Sequence, residues 1–422
     1  MTLKNTCISV SICLITVGSI TQWCKLPIDN TFFWWTAYVF SLATFAFIRP
    51  KQYGVKIISV FLLLVCISAL YGAFVQAENY WDWKSLVRNL LTFMLPISVL
   101  TFASPKVLKV TLDRYFLCAP FLLLILGLFL SSDAFGRLLV PYSIISLFYP
   151  ALKRRNLLPL VIAFLVVVVL GFQSRSNVVK FALCLVLGTT LFLSRYKRLL
   201  SVVYKMLHIF FLCIPAVLGI LAATGSFNVF DIEDLLGLEG ELTLEDDQTA
   251  SGESSVLNDT RSFIYLEEFN SAVKYGYLIQ GRSIARGYES DFFGAEMDED
   301  SGNFRGERYS CEVAVMNIFN YFGIIGVLVY FLVFLLASIQ ALYKSNNVFI
   351  KLVGVYVAFR WTFAWIEDFT RFDLNYLFLW IMMAMCFSPW FRKMTDKEFI
   401  QWVRSIRVLP IIVTENRKPY EG

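Results

Sequence analysis

Twelve apolar stretches, each about the length of a bilayer crossing, leave this chain few folds to choose from. They run over roughly 7–23, 31–48, 57–75, 86–103, 115–131, 136–152, 157–173, 177–194, 203–224, 312–340, 348–366 and 373–391. A crossing takes ~20 apolar residues. Lipid offers no hydrogen-bond partner to a bare backbone, so each stretch is predicted to be a helix. Composition agrees: 58% of the 422 residues are apolar and 16% charged, against about 25% charged in ordinary soluble domains. Soluble enzymes, disordered chains and secreted disulfide scaffolds are excluded. The expected fold class is an all-α polytopic integral membrane protein of about 12 transmembrane helices. The first stretch has no small-residue cleavage site and is flanked by Gln22 and Trp23, so it reads as a retained span.

The connections alternate in charge. Arg49, Lys51 and Lys56; Lys106, Lys109 and Arg114; Lys153, Arg154 and Arg155; Arg195, Lys197, Arg198 and Lys205; Lys344 and Lys351; and the tail from Arg392 all fall on one side. The positive-inside rule makes that side cytoplasmic, with both termini there. The chain then divides into spans one to nine (1–224), a large outward loop (225–311), spans ten to twelve (312–391) and a basic cytoplasmic tail (392–422). The loop holds 19 acidic and 6 basic residues, net −13, while the remainder carries +18. The basic balance is therefore a topology and lipid-headgroup signal, and nucleic acid is not an expected partner. Within the loop, 231–255 reads as a solvated acidic segment. After it, Phe263, Leu266, Phe269 and Val273 recur at helical spacing between a cap at Asp259 or Thr260 and a terminating Gly276. An amphipathic helix is expected near 260–275, on the membrane surface or over the spans.

The nine cysteines are scattered, without a C-x-x-C pair, and read as packing residues. A single histidine, His208, falls within span nine, where a packing role is expected; no metal or cofactor is implied. The unusual feature is arginine on the outward side. Arg175 lies in the tight 173–177 connection; Arg261, Arg282, Arg286, Arg305 and Arg308 lie in the large loop; Arg88, Arg137 and Arg371 sit near other outer span ends. Headgroup snorkelling is one explanation. Clamping of phosphate at the membrane surface is the other. Arg360, inside span eleven, is two helical turns before Glu367, and an ion pair between them is expected.

Four of these features, in order and on one membrane face, resemble the O-antigen polymerase and O-antigen ligase superfamily of polytopic GT-C glycosyltransferases. They are Gln173-Ser174-Arg175-Ser176-Asn177; Arg261 opening the amphipathic helix; the turn Gly276-Tyr277-Leu278-Ile279-Gln280-Gly281-Arg282-Ser283; and Ser310-Cys311-Glu312 followed by Gly323-Ile324-Ile325-Gly326. The resemblance covers roughly 135–340. It implies transfer of a growing glycan from an undecaprenyl-diphosphate carrier to a lipid-linked repeat unit at the periplasmic face. The partners it implies are that lipid-linked oligosaccharide, the membrane lipids and a chain-length regulator. Arg175 and Arg261, seconded by Arg282 and Arg286, would hold the diphosphate. Glu312 stands where ligases carry histidine, which favours polymerase over ligase and makes Glu312 the expected general base. Its spacing from Arg308 equally suits an ordinary ion pair. The alternatives are a ligase transferring glycan to lipid A-core, and a transporter or flippase of the lipid-linked oligosaccharide. Against the transporter, no six-plus-six repeat is visible and the long loop faces outward.

Overall fold

The computed structural model describes residues 3–21, 23–24, 30–50, 53–171, 175–223, 261–291 and 305–408. The acidic segment 231–255, the cap at Asp259 or Thr260, residues Gln173 and Ser174 and the end of the tail lie outside the described residues.

The chain is all-α. In order, the helices are α1 (Leu3–Thr21), α2 (Thr31–Ile48), α3 (Lys56–Tyr71, prolonged by a π turn through Gln76), α4 (Tyr80–Phe93), α5 (Ser98–Phe102) and α6 (Pro105–Leu126). Next come α7 (Ser132–Leu138), α8 (Val140–Ser146), α9 (Leu157–Leu170), α10 (Arg175–Thr189), α11 (Lys197–Ala223) and α12 (Arg261–Lys274). The series ends with α13 (Ala314–Tyr343), α14 (Val348–Phe363), α15 (Leu374–Phe387), α16 (Pro389–Lys393) and α17 (Asp396–Ser405). A two-residue antiparallel ribbon, Tyr288–Glu289 with Glu307–Arg308, pins the loop on itself.

Eight helical segments among the described residues are long and apolar enough to cross a membrane. They correspond to eight of the twelve expected stretches; the other four form shorter pieces. The 136–152 stretch is broken into α7, α8 and a turn at Tyr149–Ala151, with Pro141 and Pro150 interrupting it as proline does. At 1.5 Å per residue, the fourteen residues of α15 reach only about 21 Å, short of a hydrocarbon core. All fourteen are buried. α15 is thus the centre of the bundle, clad by protein rather than lipid. α14 is nearly as enclosed and packs between α13 and α11.

The connection 364–373 between α14 and α15 is non-helical yet interior, so its polar groups need partners. They have them. Asp373 caps α15 through the Tyr376 N–H (2.9 Å), Ser19 Oγ accepts from the Leu374 N–H (2.8 Å), and Asp368 Oδ1 accepts from the Thr370 N–H (2.7 Å). The start of α13 docks here too: the Ala314 N–H reaches Glu367 O (3.3 Å) and the Val315 N–H reaches Ala364 O (3.0 Å).

α13 is kinked at Gly323, where φ is +64°. A strand of loop enters the kink and replaces the lost helical bonds. Ile324 N–H donates to Leu278 O (2.9 Å), Ile325 N–H to Ile279 O (3.2 Å), and Arg282 N–H to Asn320 O (2.7 Å). The expected glycine turn after the amphipathic helix and the glycine pair opening the next span are therefore one junction.

α12 ends at Gly276 in a left-handed conformation, with Tyr277 N–H returning to Ala272 O (3.0 Å). Its inward face carries Ile264, Glu268, Ser271 and Ala272. The apolar stripe points the other way, with Leu266, Phe269 and Val273 more than half exposed, as suits a helix lying against lipid.

Candidate functional site

Two of the sequence-derived site residues open helices and a third stands two residues before one, and the three helices meet at one turn. Arg175 begins α10, and its neighbour Ser176 donates through Oγ to Glu367 (3.1 Å). Arg261 begins α12, and one turn later the Tyr265 hydroxyl donates to Trp365 O. Glu312 lies two residues before Ala314, which is bonded to Glu367 O. The segment Ala364–Glu367 thus ties together the starts of α10, α12 and α13. For Arg175 and Arg261 the backbone is described and the side chains lie outside the described residues.

The remaining arginines of the 261–311 segment are engaged. Arg282 donates to Glu307 (2.8 Å) and to Gly287 O (2.8 Å). Arg286 binds the same carboxylate through Nε (3.0 Å) and Nη2, and these bonds raise its guanidinium above the ordinary value. Arg305 pairs with Glu78 (2.5 Å) and Asp82 (3.2 Å). Arg308 pairs with Glu312, whose side chain is 52% exposed. That last contact is the i,i+4 pair the spacing allowed. Arg282 and Arg286, expected as seconds on the diphosphate, hold the loop together through Glu307, whose side chain is 4% exposed. Sequence reasoning missed Glu307, Glu78 and Asp82, because pairing across 21 to 227 residues leaves no local pattern.

Arg360 departs from expectation. Glu367 is taken by Lys180, which reaches both its oxygens at 2.9 Å. Arg360 instead donates to Asn375 Oδ1 (3.2 Å) and lies 4.5 Å over the Phe369 ring. The helix ends at Phe363, so Glu367 is not on the helical face that two-turn spacing assumed. His208 is buried in the α11–α13 interface with Nε2 2.9 Å from Ser338 Oγ.

Two cavities flank the 364–372 connection. One is an apolar groove of about 610 Å³ between α12 and α13, lined by Leu266, Phe269, Val315, Met316, Phe319 and Trp365 among others. The second is polar, about 390 Å³, between the start of α2 and α4. α2 contributes Trp34, Trp35 and Tyr38; α4 contributes Lys84, Arg88 and Asn89; the connection contributes Asp368, Thr370 and Arg371. Asn317 and Tyr321 of α13 complete its wall. Both volumes fall within the range of small-molecule sites. Of the described side chains, none of Arg282, Arg286 and Glu312 is among the residues lining the polar cavity. Arg88 and Arg371 were legible only as arginines near outer span ends; the aromatic wall carried no distinguishing signal.

Neighbouring residues separate the two cavities. Val315 and Met316 face the groove while Asn317 faces the polar side; Trp365 faces the groove while Asp368 faces the polar side. Such an arrangement suits a ligand with an apolar part and a polar part.

The chain matches no known protein-family pattern and no curated protein.

Proposed function

We propose that this protein is a surface-polysaccharide polymerase. In this reading it has twelve crossings, cytoplasmic termini and its large loop on the periplasmic side of a bacterial inner membrane. It moves a growing glycan from an undecaprenyl-diphosphate carrier to a lipid-linked repeat unit. The observation that supports the reading is the meeting, at the Ala364–Glu367 turn, of the starts of α10 and α12, which carry Arg175 and Arg261, with the start of α13, two residues after Glu312. That turn lies between an apolar groove suited to a lipid tail and a polar cavity suited to a glycan.

The chemistry follows from the charges. An acceptor hydroxyl attacks the anomeric carbon, the carbon–oxygen bond to the diphosphate breaks, and negative charge grows on the departing carrier. Arg175 and Arg261 stabilise that charge in place, since a guanidinium keeps its proton and its donor geometry throughout. Glu312 takes the hydroxyl proton, with Arg308 orienting its carboxylate. Arg282 and Arg286, tied to Glu307, fix the loop between α12 and α13.

The test is reconstitution. Purified protein is given lipid-diphosphate-linked repeat units, with and without a chelator, and products are resolved by size. A ladder of lengthened glycans, unchanged by chelator, is the expected result. Movement of the lipid-linked unit across vesicles without bond formation would assign a transporter instead. Transfer only to lipid A-core would assign a ligase.

A further inference from the structure

Among the described side chains, the polar cavity uses none given a catalytic role above, and its lining specifies a ligand of its own. Lys84 and Arg88 stand four residues apart on one face of α4, a spacing at which like charges repel. Among the described residues no carboxylate forms an ion pair with either. Lys84 lies over the Trp81 ring at 4.7 Å, and Arg371 adds a third cation whose Nε is shared with Asp368 at 3.3 Å. Asp368 is the one carboxylate lining the cavity among the described residues, and Thr370 also donates to it.

The amides behind these charges are already satisfied. Asn317 exchanges hydrogen bonds with the Cys311 backbone at 2.8 and 3.0 Å, and Asn89 donates to Ile284 O at 2.9 Å. Lys84 and Arg88 are therefore the cations left for a ligand. Trp34, Trp35 and Tyr38 also line the cavity; Tyr38 is buried and stacked on Phe372, and Trp35 is half-buried, which leaves its ring able to pack against a sugar. Trp34 is 5% exposed, and its indole N–H is buried without an acceptor among the described residues. A cavity lined by surplus positive charge together with a half-buried aromatic ring recognises a ring that carries an anion.

We infer that the polar cavity binds a sugar residue bearing an acidic substituent, its negative charge held by Lys84 and Arg88 and its ring laid on Trp35. This deepens the polymerase reading, on which it rests for the statement that the sugar belongs to the acceptor repeat unit.

The experiment titrates the purified full-length protein in phospholipid nanodiscs, following tryptophan fluorescence. The probes are a glucuronic-acid-terminated trisaccharide, its neutral glucose counterpart and inorganic pyrophosphate. The acidic trisaccharide is expected to bind saturably and about tenfold more tightly than the neutral one, and Arg88→Gln and Lys84→Gln each to remove most of that preference. Equal binding of the two sugars, or unchanged preference in both variants, overturns the inference. So does displacement of the acidic sugar by an equal concentration of pyrophosphate, which would assign the cavity to the carrier diphosphate. The two proposals fail separately. A wild-type protein that binds the acidic sugar but lengthens no glycan sinks the polymerase and leaves this site standing. A glycan ladder with no preference for the acidic sugar does the reverse.

Discussion

Gly281 and Gly323 cross backbone against backbone. A Cβ on Gly281 would stand 2.3 Å from the Phe322 nitrogen, and one on Gly323 would stand 2.3 Å from the Ile279 carbonyl oxygen. Both residues also have positive φ, +78° and +64°. The crossing lets the loop bond into the kink of α13, and it sets where α12 ends relative to the span that follows Glu312.

Gly281→Ala and Gly323→Ala should each cost more than 4 kcal/mol, since left-handed strain of about 1–2 kcal/mol adds to an unavoidable backbone clash. Gly276, also at positive φ (+69°) but with nothing near its Cβ position, is the control: alanine there should cost only about 1 kcal/mol. Thermal melts of detergent-purified protein, with folded yield, check the order. Equal losses at all three positions would mean that the crossing does not matter.

Glu268 sits on the inward face of α12, fully enclosed, with one carboxylate oxygen lacking any partner among the described residues. Burial pushes its carboxyl well above the ordinary carboxylate range, against the pull of the Asn320 backbone N–H and the Cys311 thiol. The folded chain therefore holds this proton more tightly than the unfolded one. Its contribution to stability is complete below the unfolded value of about 4.3 and is lost as pH rises toward the raised folded value. The melting temperature should fall from pH 5 to pH 8, and Glu268→Gln should flatten that fall and raise the value at pH 8. Parallel curves for the two proteins would show that Glu268 is not the group responsible.

Lys180 and Glu367 form a buried pair, with side chains 3% and 13% exposed. Removing one partner strands a charge, so Lys180→Met alone should destabilise by about 3–5 kcal/mol. The double variant Lys180→Met with Glu367→Gln should recover most of the loss. A double-mutant cycle on melting free energies gives the coupling; an additive cycle would refute the pairing.

What could be read from the sequence was what repeats locally. The helical spacing of Leu266, Phe269 and Val273 marked α12 to within a residue or two, and Gly276 its end. The fold class followed from apolar run length. Run length misled where an apolar stretch was not all helix: 373–391 has the composition of a span, but its helix stops at Phe387 because Ser388 and Pro389 start a new turn. Burial of α15 on every side was invisible, since lipid-facing and protein-facing residues are equally apolar in such a chain. At the site, the arginines could be located but their carboxylates could not. Glu307 meets Arg282 and Arg286 only because the ribbon brings Glu307 back beside Glu289.

That ribbon separates two kinds of arginine in the proposed site, and mutation should sort them. Glu307→Gln leaves two enclosed guanidiniums without their anion, so it should lower stability by about 3–5 kcal/mol and reduce protein in the membrane together with any product. Arg175→Ala and Arg261→Ala should leave melting temperature and membrane level unchanged, yet cut turnover of lipid-linked repeat units by about 10²–10³-fold each, the usual loss when one preorganised donor is removed. The measurement pairs single-turnover polymer formation with melts on the same preparations. Wild-type turnover in either arginine variant removes that residue from the chemistry, and a fall in melting temperature matching the fall in turnover would make it a structural arginine like Arg282.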